Sequence, residues 1–254
     1  MKKVLEVNNL TKNFKGKNKQ EFTAVSNIDF CLYEGECLGI IGESGSGKST
    51  TVNMITRLIE PTDGTITIDG EDITHIKGKA LQSLYKKLQM VFQSPIESFD
   101  PRCTLGDGIA ESLRNNGFSK KEAAAAVEKV LEKCGLDRSF AGRFPHEVSG
   151  GQCQRAAIAR ALAIEPTILI CDEATSSLDV TIQKEIIDLL RSLRESHGKK
   201  LSILFICHDL ALVQDFCDRV LVMHDGEIVE QGIPDEIIKN PKNDYTKRLI
   251  ESVL

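Results

Sequence analysis

Gly42-Glu43-Ser44-Gly45-Ser46-Gly47-Lys48-Ser49-Thr50 is the stretch that decides the fold. It matches G-x-x-x-x-G-K-[ST], with Gly42, Gly47, Lys48 and Ser49 at the fixed places. A loop of this kind wraps a chain of phosphates in backbone N–H groups, so side chains must stay clear at Gly42, Gly45 and Gly47. The surroundings agree. Cys37-Leu38-Gly39-Ile40-Ile41 is an apolar run that reads as a buried strand, and Ser49 to Ile59 is compatible with a helix. The start of that helix turns its partial positive charge toward the anion. Lys48 adds a full charge, and the Ser49 hydroxyl suits Mg²⁺. The arrangement predicts a nucleoside triphosphate as ligand.

Working outward, the first 93 residues are strand-rich. Val4 to Val7 reads as a strand, and Thr65-Ile66-Thr67-Ile68-Asp69-Gly70 alternates and ends in a turn. Leu81, Leu84, Tyr85 and Leu88 follow helical spacing, and Leu88 to Phe92 reads as a strand that stops at Gln93. Residues 94–150 change character. A helix is expected over Leu105 to Asn115, and Ser119 with Glu122 forms a capping box that opens an Ala-rich helix ending before Gly135. From 151 to 224 helices and strands alternate: helix Gly151–Ala163, strand Thr167–Cys171, helix Val180–Ser196, strand Leu201–Cys207, helix Leu210–Cys217, strand Arg219–Met223. Such alternation with short links implies a parallel sheet covered on both faces. The tail, 225–254, holds a turn at Asp225-Gly226 and two short helices.

Bulk composition narrows the class. The 254 residues are 41% hydrophobic and 27% charged, close to the average for globular proteins. A net charge of −5 argues against general nucleic-acid binding. No apolar run is long enough to span a membrane, and Met1-Lys2-Lys3 is not followed by a signal-peptide core. A cytosolic location is therefore expected, with any membrane association through partners. The eight cysteines include no C-x-x-C pair, so neither a zinc nor a redox motif is supported. Cys171 and Cys207 read as core fillers. Cys153 lies beside a candidate site and is expected to make it sensitive to thiol reagents.

Two further stretches bear on the same ligand. Thr167 to Glu173 is an apolar strand ending in two carboxylates: Asp172 suits the Mg²⁺ shell, and Glu173 can polarise an attacking water as general base. Val148-Ser149-Gly150-Gly151-Gln152 precedes a helix and offers a second anion-binding helix start, or a plain N-cap at Ser149.

With these residues in place the chain resembles, over nearly its whole length, the ATP-binding subunit of an ABC transporter. The match runs through six motifs in order: Gly42–Thr50 (Walker A), Gln93 (Q-loop), Val148–Gln152 (signature, with Val in place of the usual Leu), Ile168–Glu173 (Walker B), Ser177-Leu178-Asp179 (D-loop) and His208 (switch histidine). The resemblance implies an α/β fold with a P-loop NTPase core and mainly parallel sheet. It adds an N-terminal antiparallel β subdomain and an inserted α-helical subdomain. One cassette would fill 1–254, with the core in 1–93 and 151–224, the helical subdomain in 94–150 and a hairpin with short helices in 225–254.

The resemblance also implies roles. Lys48 would bind the β- and γ-phosphates within the cradle Gly42, Glu43, Ser44, Gly45, Ser46, Gly47, Lys48, Ser49, Thr50. Ser49 and Gln93 would ligate Mg²⁺, with Asp172 reaching it through water. Glu173 would activate the hydrolytic water and His208 would contact the γ-phosphate. Ser149 and Gly151, with Gly150, Gln152 and Asp179 beside them, would serve ATP held by the opposite subunit of a head-to-tail dimer. Phe14 stands where the family stacks an aromatic on adenine, and equally reads as a strand-end core residue. Ser94 to Arg102 would line the groove that receives a short helix of a membrane partner, or is an ordinary Pro-containing loop.

Phe99-Asp100-Pro101-Arg102, Phe144-Pro145-His146-Glu147 and Asn240 to Lys247 resemble stretches of the peptide and nickel importers. With no cysteine after Cys217, the chain is similar to the shorter, cluster-free ATPase of that branch. The resemblance implies a second, different ATPase subunit, two transmembrane permeases and, indirectly, an extracytoplasmic substrate-binding protein. It puts the chain at the cytoplasmic face of the membrane, importing a peptide or a nickel or metal chelate. Non-transport alternatives are a regulatory cassette on a membrane partner and a soluble ATPase acting on ribosomes or DNA. The short segment between Gln93 and Val148 leaves no room for the long coiled coil of the DNA-repair type.

Overall fold

A computed structural model describes residues 2–15, 21–175, 178–196 and 201–252. Two sheets organise the chain. The first is antiparallel, in the order β2 (Glu21–Tyr33), β1 (Lys3–Lys15), β4 (Asp63–Ile68), β5 (Glu71–Asp72). The second has the order β10 (Glu227–Gly232), β9 (Arg219–His224), β3 (Cys37–Ile41), β8 (Ser202–Ile206), β7 (Ile168–Asp172), β6 (Leu88–Val91). Its strands are parallel except β10, which pairs antiparallel with β9 as a hairpin.

The buried strand expected at Cys37–Ile41 is β3, with every residue buried. Its pleat divides the core. Leu38 and Ile40 face one apolar cluster with Ile168, Ile170, Leu204 and Ile206, closed by the antiparallel sheet and α1 (Lys48–Ile55). Cys37 and Ile41 face the other, with Leu169, Cys171, Ile203 and Phe205. That second face is covered by α5 (Gly150–Leu162), α6 (Val180–Ser196) and α7 (Leu210–Phe216). Phe205 is fully buried and meets Phe216 edge to face, with centroids 5.4 Å apart.

Between β6 and α5 the chain forms helices and short turns but no strand. After α2 (Lys79–Lys87) and β6 come α3 (Leu105–Asn115) and α4 (Lys120–Lys133). α3 has the span read from sequence. α4 opens on the expected capping box, in which the Glu122 N–H donates to Ser119 Oγ and the Ser119 N–H to the Glu122 carboxylate. It ends at Lys133, with Cys134 as C-cap and Gly135 next in left-handed conformation. α5 packs against α3 and α4 on one side and β6 on the other, so it ties the helical segment to the parallel sheet.

Two features differ from expectation. The helix after the phosphate loop stops at Ile55 rather than Ile59, because Arg57 takes a left-handed φ of 60° that a helix cannot continue. The long strand β2 has no counterpart in the periodicity analysis. Its pairing with β1 breaks register at several points, so no clean alternation runs along it. The tail closes with α8 (Pro234–Lys239) and α9 (Asp244–Glu251), the two short helices expected there.

Candidate active site

The carboxyl ends of adjacent parallel strands bring most of the predicted residues to one edge. β3 ends into Gly42, β8 into His208, β7 into Asp172 and Glu173, and β6 into Gln93. Loops at this edge are where open α/β sheets bind ligands. His208 and Gln93 are both exposed there.

The phosphate loop is built as its sequence demands. Gly42 has φ 150°, and a Cβ there would lie 2.2 Å from the Met223 carbonyl oxygen of β9, so no other residue fits. The loop turns on a Ser46 N–H to Glu43 carbonyl bond of 3.2 Å. Glu43, Ser44, Gly45 and Ser49 are exposed, Thr50 is half-buried, and Ser46 and Lys48 are buried. The Lys48 ammonium curls back into the loop, donating to the Gly42 carbonyl (2.7 Å), the Glu43 carbonyl (2.8 Å) and Ser46 Oγ (3.3 Å). Desolvation lowers its pKa, while Glu173 and Asp172 pull it back up.

Asp172 and Glu173 face that ammonium. Burial, reinforced by the Glu173 charge, pushes the Asp172 carboxyl up, and Lys48 opposes this. Asp172 Oδ1 is buried with no hydrogen-bond partner among the described residues. A buried carboxylate oxygen left open in this way fits a cation. Glu173 sits at φ 47°, a left-handed conformation unusual for a side chain of its size, and its N–H is held by the Ile206 carbonyl at 3.0 Å. Strained backbone of this kind concentrates at functional sites.

The signature stretch forms the N-terminus of α5. Ser149 is the N-cap: the Gln152 N–H donates to Ser149 Oγ (3.3 Å), and the Ser149 N–H donates to Gln152 Oε1 (3.0 Å). The capping reading of Ser149 therefore holds, and it leaves the residue exposed. Gly151 is required for packing, since a Cβ there would meet Ile182 of α6 at 2.7 Å. Asp179 caps α6 in turn, its carboxylate accepting from the Ile182 N–H at 3.0 Å. Of the expected D-loop, Ser177 lies outside the described residues.

Three other expectations are modified. Cys153 is fully buried and burial pushes its thiol up to about 11, so the anticipated sensitivity to thiol reagents is not a property of this cysteine. Phe14 is not a core residue: 41% of it is exposed, opposite the exposed Phe22, with the Lys12 ammonium 5.1 Å from its ring centroid. In the segment after Gln93, Phe99 turns inward beneath the Arg160 guanidinium, leaving Ile96 exposed there and Phe92 exposed just before Gln93. One site neighbour escaped sequence reading. Tyr245, part of the tail stretch used only as a branch marker, hydrogen-bonds the phosphate loop at Glu43.

Residues 25–176 match the family model described as ABC transporter. The chain belongs to the ABC transporter family. It carries the family's ATP-binding domain and is an ATPase. It is 45% identical to the oligopeptide transport ATP-binding protein OppF of Salmonella typhimurium, over 91% of this chain and 69% of that protein. It is 44% identical to OppF of Bacillus subtilis, over 99% and 82%. The glutathione import ATP-binding protein GsiA of Pectobacterium atrosepticum is 42% identical, over 98% of this chain and 41% of that one. Among solved structures, the cassette MJ0796, a post-hydrolysis dimer bound to ADP and Pi, superposes with a TM-score of 0.81 at 32% identity, covering 91% of this chain and 98% of that one. CbiO1 of Clostridium perfringens, part of the transporter complex CbiONQ, gives 0.83 at 28%, covering 100% and 95%. This ABC ATPase thus has the antiparallel sheet, the mostly parallel sheet and the helices of the ABC fold. Among its described residues no helix is long and apolar enough to cross a membrane.

Proposed function

We propose that this chain powers import of peptides across the cytoplasmic membrane by binding and hydrolysing ATP. The observation that carries the chemistry is the buried Lys48 ammonium, held in the loop by the Gly42 and Glu43 carbonyls and acted on by the charges of the half-buried Asp172 and Glu173. Backbone amides of the Gly42–Thr50 loop, other than the Glu43 N–H already held by Tyr245, bind the phosphate chain. Lys48 leaves its carbonyl partners to pair with the β- and γ-phosphates. Ser49, Gln93 and Asp172 would hold Mg²⁺, and the open Asp172 Oδ1 supports that assignment. When bound, the cation neutralises charge on the phosphate oxygens. Glu173 takes the proton of the attacking water, His208 holds the γ-phosphate, and the exposed Phe14 ring stacks on adenine.

The exposed α5 start, with Ser149, Gly150, Gly151, Gln152 and Asp179 close by, serves ATP bound to a second ATPase subunit. ATP then joins the two subunits, and loss of the γ-phosphate releases them. The exposed Phe92 and Ile96 beside Gln93 support a groove for a helix of a permease. The chain would sit on the cytoplasmic face, beneath two permeases and, indirectly, an extracytoplasmic binding protein. Relatives named for oligopeptide transport and glutathione import support peptides over nickel or a metal chelate, and favour transport over a regulatory or soluble role.

The test is to tag the chain in its native cell, solubilise the membranes gently and identify what co-purifies. Two permeases, a different ATPase and a binding protein carrying peptide are expected. Recovery only from the soluble fraction, with ribosomes or DNA factors, would leave the ATPase chemistry and remove the transport reading.

A further inference from the structure

The phosphate loop is held from behind by the C-terminal part of the chain. The Gly226 N–H of the β9–β10 turn donates to the Ser46 carbonyl at 3.1 Å, and the Gly226 carbonyl accepts from the Ser26 N–H at 2.8 Å. A second hold on the loop comes from the tail. Tyr245 on α9 is almost completely buried, and its hydroxyl accepts from the Glu43 N–H at 3.0 Å. Its ring stacks on His224 at the end of β9, centroids 3.7 Å apart and planes 17° apart. His224 directly follows Met223, whose carbonyl sets the close approach at Gly42.

Tyr245 is itself anchored. The Lys242 and Asn243 N–H groups donate to the two Glu230 carboxylate oxygens at 2.9 and 3.1 Å, and Asn243 Oδ1 caps α9 by accepting from the Tyr245 N–H at 2.8 Å. β10 therefore fixes where α9 begins, and α9 fixes the phenol. The Glu43 peptide is gripped at both ends: its N–H by Tyr245, its carbonyl by the Lys48 ammonium at 2.8 Å.

We propose that Tyr245 is a positioning residue for nucleotide binding, its hydroxyl fixing the Glu43 peptide so that the loop amides and Lys48 are set for the phosphates before ATP arrives. This rests on the reading of Gly42–Thr50 as the phosphate site. Preorganisation of this kind spares the ordering cost of binding. Burial holds the phenol above its ordinary pKa, so the hydroxyl stays neutral at physiological pH.

Tyr245→Phe keeps the stacked ring and removes only the hydroxyl. The expected result is an ATP affinity about five-fold weaker, the worth of one ordinary hydrogen bond. Faster amide exchange over the loop segment containing Glu43 should accompany it, with a modest fall in melting temperature like that of any variant losing one buried hydrogen bond. Tyr85→Phe is the control. It deletes another tyrosine hydrogen bond, from Tyr85 to the Thr56 carbonyl at 3.3 Å, and should leave ATP affinity as it was. Wild-type ATP affinity in Tyr245→Phe overturns the proposal, whatever the exchange shows. An equal loss in Tyr85→Phe overturns it as well. Lys48→Ala run in parallel keeps the two readings apart: retained ATP binding there contradicts the phosphate-loop assignment itself.

Discussion

Lys48, Asp172 and Glu173 show how much of the site is set by burial rather than by charge alone. The carboxylates draw the Lys48 ammonium up and Lys48 draws Asp172 down, yet desolvation is the largest influence on both Lys48 and Asp172. An anionic ligand with its cation would relieve both, giving Lys48 stronger acceptors than carbonyls and Asp172 Oδ1 a partner. Burial also decides the cysteines. Cys153, Cys171 and Cys207 are buried, their thiols pushed up to about 11, 12 and 12, whereas Cys103 is exposed. Brief treatment with iodoacetamide at mildly alkaline pH should therefore alkylate Cys103 first and spare Cys153, as read by peptide mapping of the folded protein. Rapid modification of Cys153 would mean that α5 opens far more readily than its packing implies.

The N-terminus of α5 carries two demands in one element. Ser149 and Gln152 satisfy each other as a capping box, and Gly151 lets α6 approach. Ser149→Arg replaces a short cap by a long cation on the exposed face. The cap itself is worth about 1 kcal/mol of stability. The expected outcome is a modest fall in melting temperature, ATP binding by the isolated chain retained, and hydrolysis lost in the assembled pair of ATPases. Normal turnover would rule out this face as the second half of a shared site.

Elements of this kind were legible where local signals suffice: the S-x-x-E capping box at Ser119, the N-cap at Ser149, the apolar strands β3 and β7, and the span of α3. β2 was not, because its register shifts blur the alternation. The stop at Ile55 was not, because a left-handed Arg57 leaves no compositional mark. Tyr245 was not, because its link to Glu43 exists only once β9, β10 and α9 have stacked behind the loop.

At the scale of the whole molecule, one sheet edge gathers residues from distant parts of the sequence, because β3, β8, β7 and β6 are neighbours and parallel. The proposed chemistry at that edge would use the Glu173 carboxylate, presented from its left-handed position, as general base. Glu173→Gln preserves size and hydrogen-bonding reach but cannot accept the proton of water. The most direct measurement is phosphate release by the assembled transporter carrying Glu173→Gln, alongside the nucleotide it retains. Hydrolysis should fall by about 10²–10⁴-fold, with intact ATP still bound. Hydrolysis at the wild-type rate would contradict the account.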